Sequence, residues 1–222
     1  MKHRSLWLFA LALGASSCFA QVNPPPSVPS GFLGDYSQLR PAPDREGVML
    51  FLDKTRSYRE YDKVMFEPMV IVPAPGSDYG GVQPDALKRM TDDFLASFRR
   101  ALEPAYQVVD EPGPGVLRVR AAITGVQLVK PPVKPTDFIP IKALFNVARS
   151  AAGAAPAVAE MTAEMEVLDA NGMRVAAATA TRKGDKTLTQ GEQVTWTELQ
   201  SIVDYWARGF RQRLDELRGA AG

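Results

Sequence analysis

The 222-residue chain is 45% hydrophobic and 23% charged, and 26 basic residues nearly balance 25 acidic ones, for a formal charge of +1. That balance gives no field to hold nucleic acid. The only histidine and the only cysteine are His3 and Cys18. The remaining chain therefore excludes Ser-His-Asp and Cys-His nucleophile systems, zinc sites with His or Cys ligands and thiol redox centres, and leaves carboxylates, lysines and hydroxyls for any chemistry.

Lys2, His3 and Arg4 form a basic start, and Leu6 to Leu13 an apolar run of eight residues followed by small ones. This is the three-part pattern of a secretory signal peptide, and the run is too short for the roughly twenty residues of a membrane-spanning helix. Ala15-Ser16-Ser17-Cys18 resembles the lipobox of bacterial lipoproteins, in which the cysteine becomes the first residue and carries acyl chains such as palmitate. Ala15 stands where leucine is usual, and Ser17 is a tolerated neighbour. The rival cut falls after Ala20, because Cys18-Phe19-Ala20 places small residues in an A-x-A-like site. Neither cut leaves a free thiol, so both stay open. By the lipoprotein resemblance, the non-acidic Phe19 implies sorting to the periplasmic face of the outer membrane, with a soluble periplasmic form as the alternative. The expected organisation is 1–17 signal peptide, 18–30 lipidated cysteine with a Pro-rich linker, and 31–222 one domain. Removing 1–17 leaves 205 residues with a charge near −1, a length that suits a single tethered domain.

Phe19 to Ser30 carries Pro24, Pro25, Pro26 and Pro29 and no hydrophobic period, which predicts an extended linker of roughly 3.1 Å per residue. Gly31-Phe32-Leu33-Gly34-Asp35-Tyr36-Ser37-Gln38-Leu39 is too short and glycine-punctuated for a helix. It reads as an extended strap whose apolar side chains form a satellite cluster on the body. Met49 to Leu52 predicts a short strand. Lys63 to Val72 predicts one covered on both faces, with Pro68 marking an edge or bulge. From Asp85 to Glu103, Leu87, Met90, Phe94, Phe98 and Leu102 form one helical stripe between Pro84 and Pro104.

Tyr106 to Val109 predicts a brief strand, and Pro112-Gly113-Pro114-Gly115 a turn. In the next segment Leu117, Val119, Ala121 and Ile123 alternate with Arg118, Arg120, Ala122 and Thr124. Met161, Ala163, Met165 and Val167 likewise alternate with Glu160, Thr162, Glu164 and Glu166. Asn171-Gly172 signals a tight hairpin into Met173 to Arg182. Arg118, Arg120, Arg174 and Arg182 are expected to meet the glutamates across a solvated sheet face. Glu164 and Glu166 also sit at a spacing of roughly 6.5 to 7 Å, which fits an inverting glycosidase pair.

Lys130 to Pro140 is a proline-rich loop, followed by a small-residue helical stripe from Ile141 to Ala152. Phe138, Ile139, Ile141 and Phe145 are the candidate partner surface, and the competing reading packs 138–158 on the sheet as core. The final helix opens with a capping box, Thr195 and Glu198. Leu199, Ile202, Val203, Trp206, Phe210, Leu214 and Leu217 form its stripe.

The set Gly31 to Ser37, Tyr61-Asp62-Lys63-Val64, Pro112 to Arg118, Trp196 and Tyr205-Trp206-Ala207 resembles an uncharacterised family of bacterial envelope lipoproteins, domain of unknown function 3313, over about Gly31 to Arg218. The resemblance implies a lipidated cysteine and supplies no activity, catalytic residue, metal or cofactor. The element order predicts an α+β fold: one domain with a mostly antiparallel β-sheet and two or three helices packed on one face. The expected function is non-enzymatic. A domain held to the membrane by its lipid would bind or help assemble another envelope component, most plainly a protein, and no nucleic acid. The alternatives are a carboxylate-dependent hydrolase of cell-wall glycan and a soluble periplasmic ligand carrier.

Overall fold

The computed structural model describes residues 28–72, 75, 84–129, 156–189, 192 and 194–219. The expectations for the leader, for Cys18 and Ala20, and for Phe138, Ile139, Ile141 and Phe145 lie outside these residues. Eight strands are described: β1 (Arg40–Pro41), β2 (Val48–Leu52), β3 (Lys63–Phe66), β4 (Val70–Ile71), β5 (Gln107–Val109), β6 (Val116–Val129), β7 (Ala157–Leu168) and β8 (Arg174–Leu188). Two helices accompany them, α1 (Pro84–Leu102) and α2 (Trp196–Arg218). All strands join one sheet in the order β1-β2-β8-β7-β6-β3-β5, with β4 paired to β6 alongside β3.

The long β6-β7-β8 frame is antiparallel, as the alternating sequence implies. Its hairpin turns at Gly172, whose φ of 77° suits a residue without Cβ,. The buried carboxylate of Asp169 holds this turn by accepting the N–H groups of Asn171 at 2.9 Å and Met173 at 2.8 Å.

The expectation of a mostly antiparallel sheet is corrected: the sheet is mixed. β3 runs parallel to both β5 and β6, and β4 runs parallel to β6. The cause is connectivity, since α1 carries the chain back along the sheet between β3 and β5, and such a return leaves the two strands pointing the same way. Apolar periodicity records which side a residue faces and says nothing of strand direction. Pro68 marks the break between β3 and β4. Lys63–Phe66 pairs with Val116–Val119 and Val70–Ile71 with Ala122–Ile123, and the residue without an N–H falls in the gap,.

Both helices cover one face. Met90, Phe94 and Phe98 of α1 and Leu199, Ile202, Val203 and Ala207 of α2 bury against Ala121, Ile123 and Val126 of β6 and Ala159 and Met161 of β7. A second cluster joins Leu102, Tyr106 and Leu214 to Val64, Leu117, Val119, Val167 and Val175. The Glu198 carboxylate returns to the Thr195 N–H at 2.8 Å, and α2 ends on Gly219 in the left-handed region, φ 72°,. Trp206 is half-buried at the margin of the first cluster.

Candidate functional site

The opposite face of the β6-β7-β8 frame is where the sequence places its paired glutamates and most of its facing arginines. The expected solvated surface is not found there. Glu164 is 1% exposed and Glu166 3%. What covers them is the strap, residues 30–39, which the sequence places against the body but assigns no polar role.

The strap folds as linked turns. Gly31 and Gly34 take φ values of 93° and 72°, and the backbone closes on itself through Gly34 N–H to Gly31 O at 3.1 Å and Leu39 N–H to Tyr36 O at 3.1 Å,. The Tyr36 hydroxyl is the hub. It accepts the N–H groups of Gly31 at 2.9 Å and Leu33 at 3.3 Å and donates to Glu164 Oε2 at 2.6 Å. The other oxygen of Glu164 accepts the Ser30 N–H at 3.0 Å. Burial, followed by the hydrogen bond to Glu164, holds the Tyr36 phenol above its ordinary pKa,.

Glu166, next on the same face, is held by two arginines. Arg120 pairs with its Oε1 and Arg174 with its Oε2 at 2.9 Å. Arg174 reaches onward to the strap carbonyls, Asp35 O at 2.9 Å and Leu33 O. The Arg120 guanidinium also lies 5.3 Å from the Phe32 ring centroid,. Below these contacts Leu33 and Leu39 bury against Ala177, with Phe32, Tyr36, Met49 and Phe51 around them, a cluster separate from the two that hold the helices.

The arginines expected to meet the glutamates divide. Arg120 and Arg174 reach Glu166, whereas Arg118 pairs with Glu67 at 2.5 Å. Arg182 stacks 3.6 Å from the ring centroid of Tyr205 on α2. Glu164 takes a phenol and an amide in place of an arginine. Each of the four carboxylate oxygens thus has a partner inside the protein, which leaves neither glutamate placed to hold a catalytic water as the glycosidase spacing suggests.

Beside the hairpin turn, Arg56 joins Asp169 at 2.5 Å and Asp53 at 3.1 Å, and the Tyr58 hydroxyl donates to the carbonyl of Val175 at 2.9 Å. Burial pushes the Tyr58 phenol up to about 12. Among the described residues no group of three or more His, Cys, Asp or Glu side chains is placed to hold a metal, and no helix is long and apolar enough to cross a membrane.

This strapped sheet belongs to a class of bacterial lipoproteins. The chain is a member of the family described as Protein of unknown function (DUF3313), whose model matches residues 28–210 and so includes the strap, the whole sheet, α1 and the first two thirds of α2. It is 26% identical over 162 residues to the uncharacterized lipoprotein YdcL of Escherichia coli K12, covering 71% of each chain. The family is thus an uncharacterised one of bacterial lipoproteins, as the sequence resemblance implies. Similar solved structures include the PelC dodecamer from Paraburkholderia phytofirmans, 14% identical with a TM-score of 0.37, covering 72% of this chain and 96% of that one. A minor lipoprotein from Acinetobacter baumannii is 11% identical with a TM-score of 0.36, covering 71% of this chain and 93% of that one.

Tyr36 is the site residue that sequence reading misses. Two residues after Gly34 in a segment that also carries Phe32 and Leu33, it counts as one more apolar side chain. Its hydroxyl matters because Glu164, 128 residues away, lies beneath it.

Proposed function

We propose that this protein is a lipoprotein of the bacterial envelope, acylated at Cys18 and held at the periplasmic face of the outer membrane. Without chemistry of its own, it binds or helps assemble another envelope component. The lipobox-like Ala15-Ser16-Ser17-Cys18 and the lipoprotein relative support the anchor. One observation carries the non-enzymatic reading: the acidic pair best spaced for glycan hydrolysis, Glu164 and Glu166, has all four oxygens engaged by Ser30, Tyr36, Arg120 and Arg174. A tethered domain gains partner occupancy from the effective concentration the anchor confers. Phe138, Ile139, Ile141 and Phe145 are the proposed partner surface.

The test compares wild type with Cys18→Ala in cells. Wild type is expected to fractionate with membranes and to carry the mass of acyl chains on a chain beginning at Cys18. The variant is expected to lose both, together with its in-cell crosslinks to envelope proteins. Ile141→Asp with Phe145→Asp is expected to leave a folded, anchored protein that no longer crosslinks. Release of soluble muropeptides from purified cell wall by the wild-type protein would replace this reading with hydrolysis.

A further inference from the structure

The strap joins the body in an unusual way for a segment that closes a sheet face. Its own backbone bonds are internal, from Gly34 to Gly31, Asp35 to Leu33 and Leu39 to Tyr36. The body grips it through side chains, Glu164 on Ser30 and Tyr36 and Arg174 on the carbonyls of Leu33 and Asp35. Its apolar contacts form their own cluster with Ala177, apart from the helix-side core. A segment held this way can leave without breaking a strand ladder or opening the main core.

The chain just after the strap is pinned. β1 pairs with β2 through Arg40 opposite Leu50 and Pro41 opposite Met49, and Asp44 is tied to Arg213 of α2 at 2.8 Å. Gly47, with φ 74°, lies so close to the Thr181 carbonyl that an added Cβ would sit 2.4 Å from its oxygen. Release therefore stops at Arg40.

We propose that the strap is a releasable latch that sets how far the domain stands from its anchor; this rests on Cys18 carrying the lipid. With the strap docked, the tether is the segment 18–29, about 37 Å long when extended at ~3.1 Å per residue. Release of 30–39 unfolds the turns at Gly31 and Gly34 and adds ten residues, roughly 31 Å more. The device gives one protein a short and a long working distance from the membrane. The Tyr36 hydroxyl is the positioning group, because it joins two strap N–H groups to a carboxylate buried in the sheet.

The experiment uses the full lipidated protein in nanodiscs, with hydrogen exchange followed by mass spectrometry and energy transfer from a dye at Arg208→Cys to a labelled lipid. Position 208 is exposed on α2, and the acylated chain has no other free thiol. Amides of 30–39 are expected to exchange faster than those of Met161 to Val167. Tyr36→Phe should speed strap exchange about tenfold, leave β7 unchanged and lower energy transfer. Glu164→Gln is the second variant, and Tyr36→Phe stands alone if it misfolds, since Tyr36 lies outside the sheet. Exchange of the strap only in step with β7, in wild type and variants alike, would overturn the latch, as would faster strap exchange with unchanged energy transfer. Failure of the wild-type chain to enter nanodiscs would sink the anchor reading alone, because the exchange comparison needs no membrane.

Discussion

On the helix side of β7, Met161 lies in one buried cluster with Phe94, Phe98, Ile202 and Val203, none more than 4% exposed, and the Phe94 and Phe98 rings stack with centroids 4.4 Å apart. One residue along the same strand the chain turns the other way, and Glu164 and Glu166 are just as buried beneath the strap. Equal burial thus rests on unequal physics. Apolar burial is non-directional and grows with area, so the helix face tolerates small shifts. The strap face is closed by charged and polar groups that each need a partner in place, and losing one leaves another buried and unpaired. The helix face carries global stability, and the strap face carries a docking that can be undone.

The largest effect should come from breaking the helix face. Phe98 is fully buried, with Phe66 at 5.5 Å and Phe210 at 5.8 Å between ring centroids. Phe98→Ala should cost about 3–5 kcal/mol in urea unfolding, with fluorescence and circular dichroism lost in one transition, because the strap has nothing to dock on once the sheet goes.

Next is Glu166→Gln. The change removes the carboxylate charge that Arg120 and Arg174 share, though Arg120 keeps Glu67 at 3.3 Å, and because both guanidiniums are partly open to water the expected cost is about 2 kcal/mol,. The comparison of faces predicts an uneven result: strap amides lose protection first and α1 amides least. Equal loss on both faces would mean that the strap is part of the single cooperative core.

The two faces also differ in how far the sequence shows them. The helix stripes, the alternating strands, the Asn171-Gly172 hairpin and the Thr195-Glu198 cap are legible because each depends on near neighbours in the chain. Parallel pairing of β3 with β5 and β6 is not, since strand direction leaves no mark on apolar periodicity. The strap is legible as a segment lying on the body, but its purpose is not. Nothing near Tyr36 or Glu164 in sequence announces a bond across 128 residues. A wet alternating face and a strap-covered polar face read alike until the covering segment is placed.

A third break tests the hairpin edge by pH. Burial alone would raise the carboxyl of Asp169, but the hydrogen bonds from Met173, Arg56 and Asn171 outweigh it and hold the group below its ordinary pKa,. A carboxyl depressed in the folded state contributes stability that is present above the unfolded value, about 3.9, and lost as pH falls through the lower folded value. Asp169→Asn should cost about 1–2 kcal/mol at neutral pH and much less at the acid end, so that the wild-type and variant melting curves converge below pH 4.

The smallest effect, and the one that separates the faces most sharply, is at alkaline pH. Burial first, and then the bond to Glu164, raise the Tyr36 phenol. Its neutral form is therefore favoured in the docked strap, and this contribution is whole below the unfolded value near 10 and falls as pH rises through the folded value. The negative charge of Glu164 opposes a phenolate, while the hydrogen bond from the Leu33 N–H favours one. Tyr58, pushed up to about 12 beside the hairpin, titrates in the same direction and must be separated from it. Ultraviolet titration of wild type and Tyr36→Phe makes that separation, since the difference between the curves isolates the single strap phenol. Strap exchange in wild type should rise above pH 10 while β7 exchange, corrected for its intrinsic pH dependence, stays level. In Tyr36→Phe the strap should already be loose at neutral pH and show no such step. A step that persists without the hydroxyl would assign the alkaline loosening to Tyr58 and the hairpin, and would move the polar weak point from the strap to the turn at Asp169.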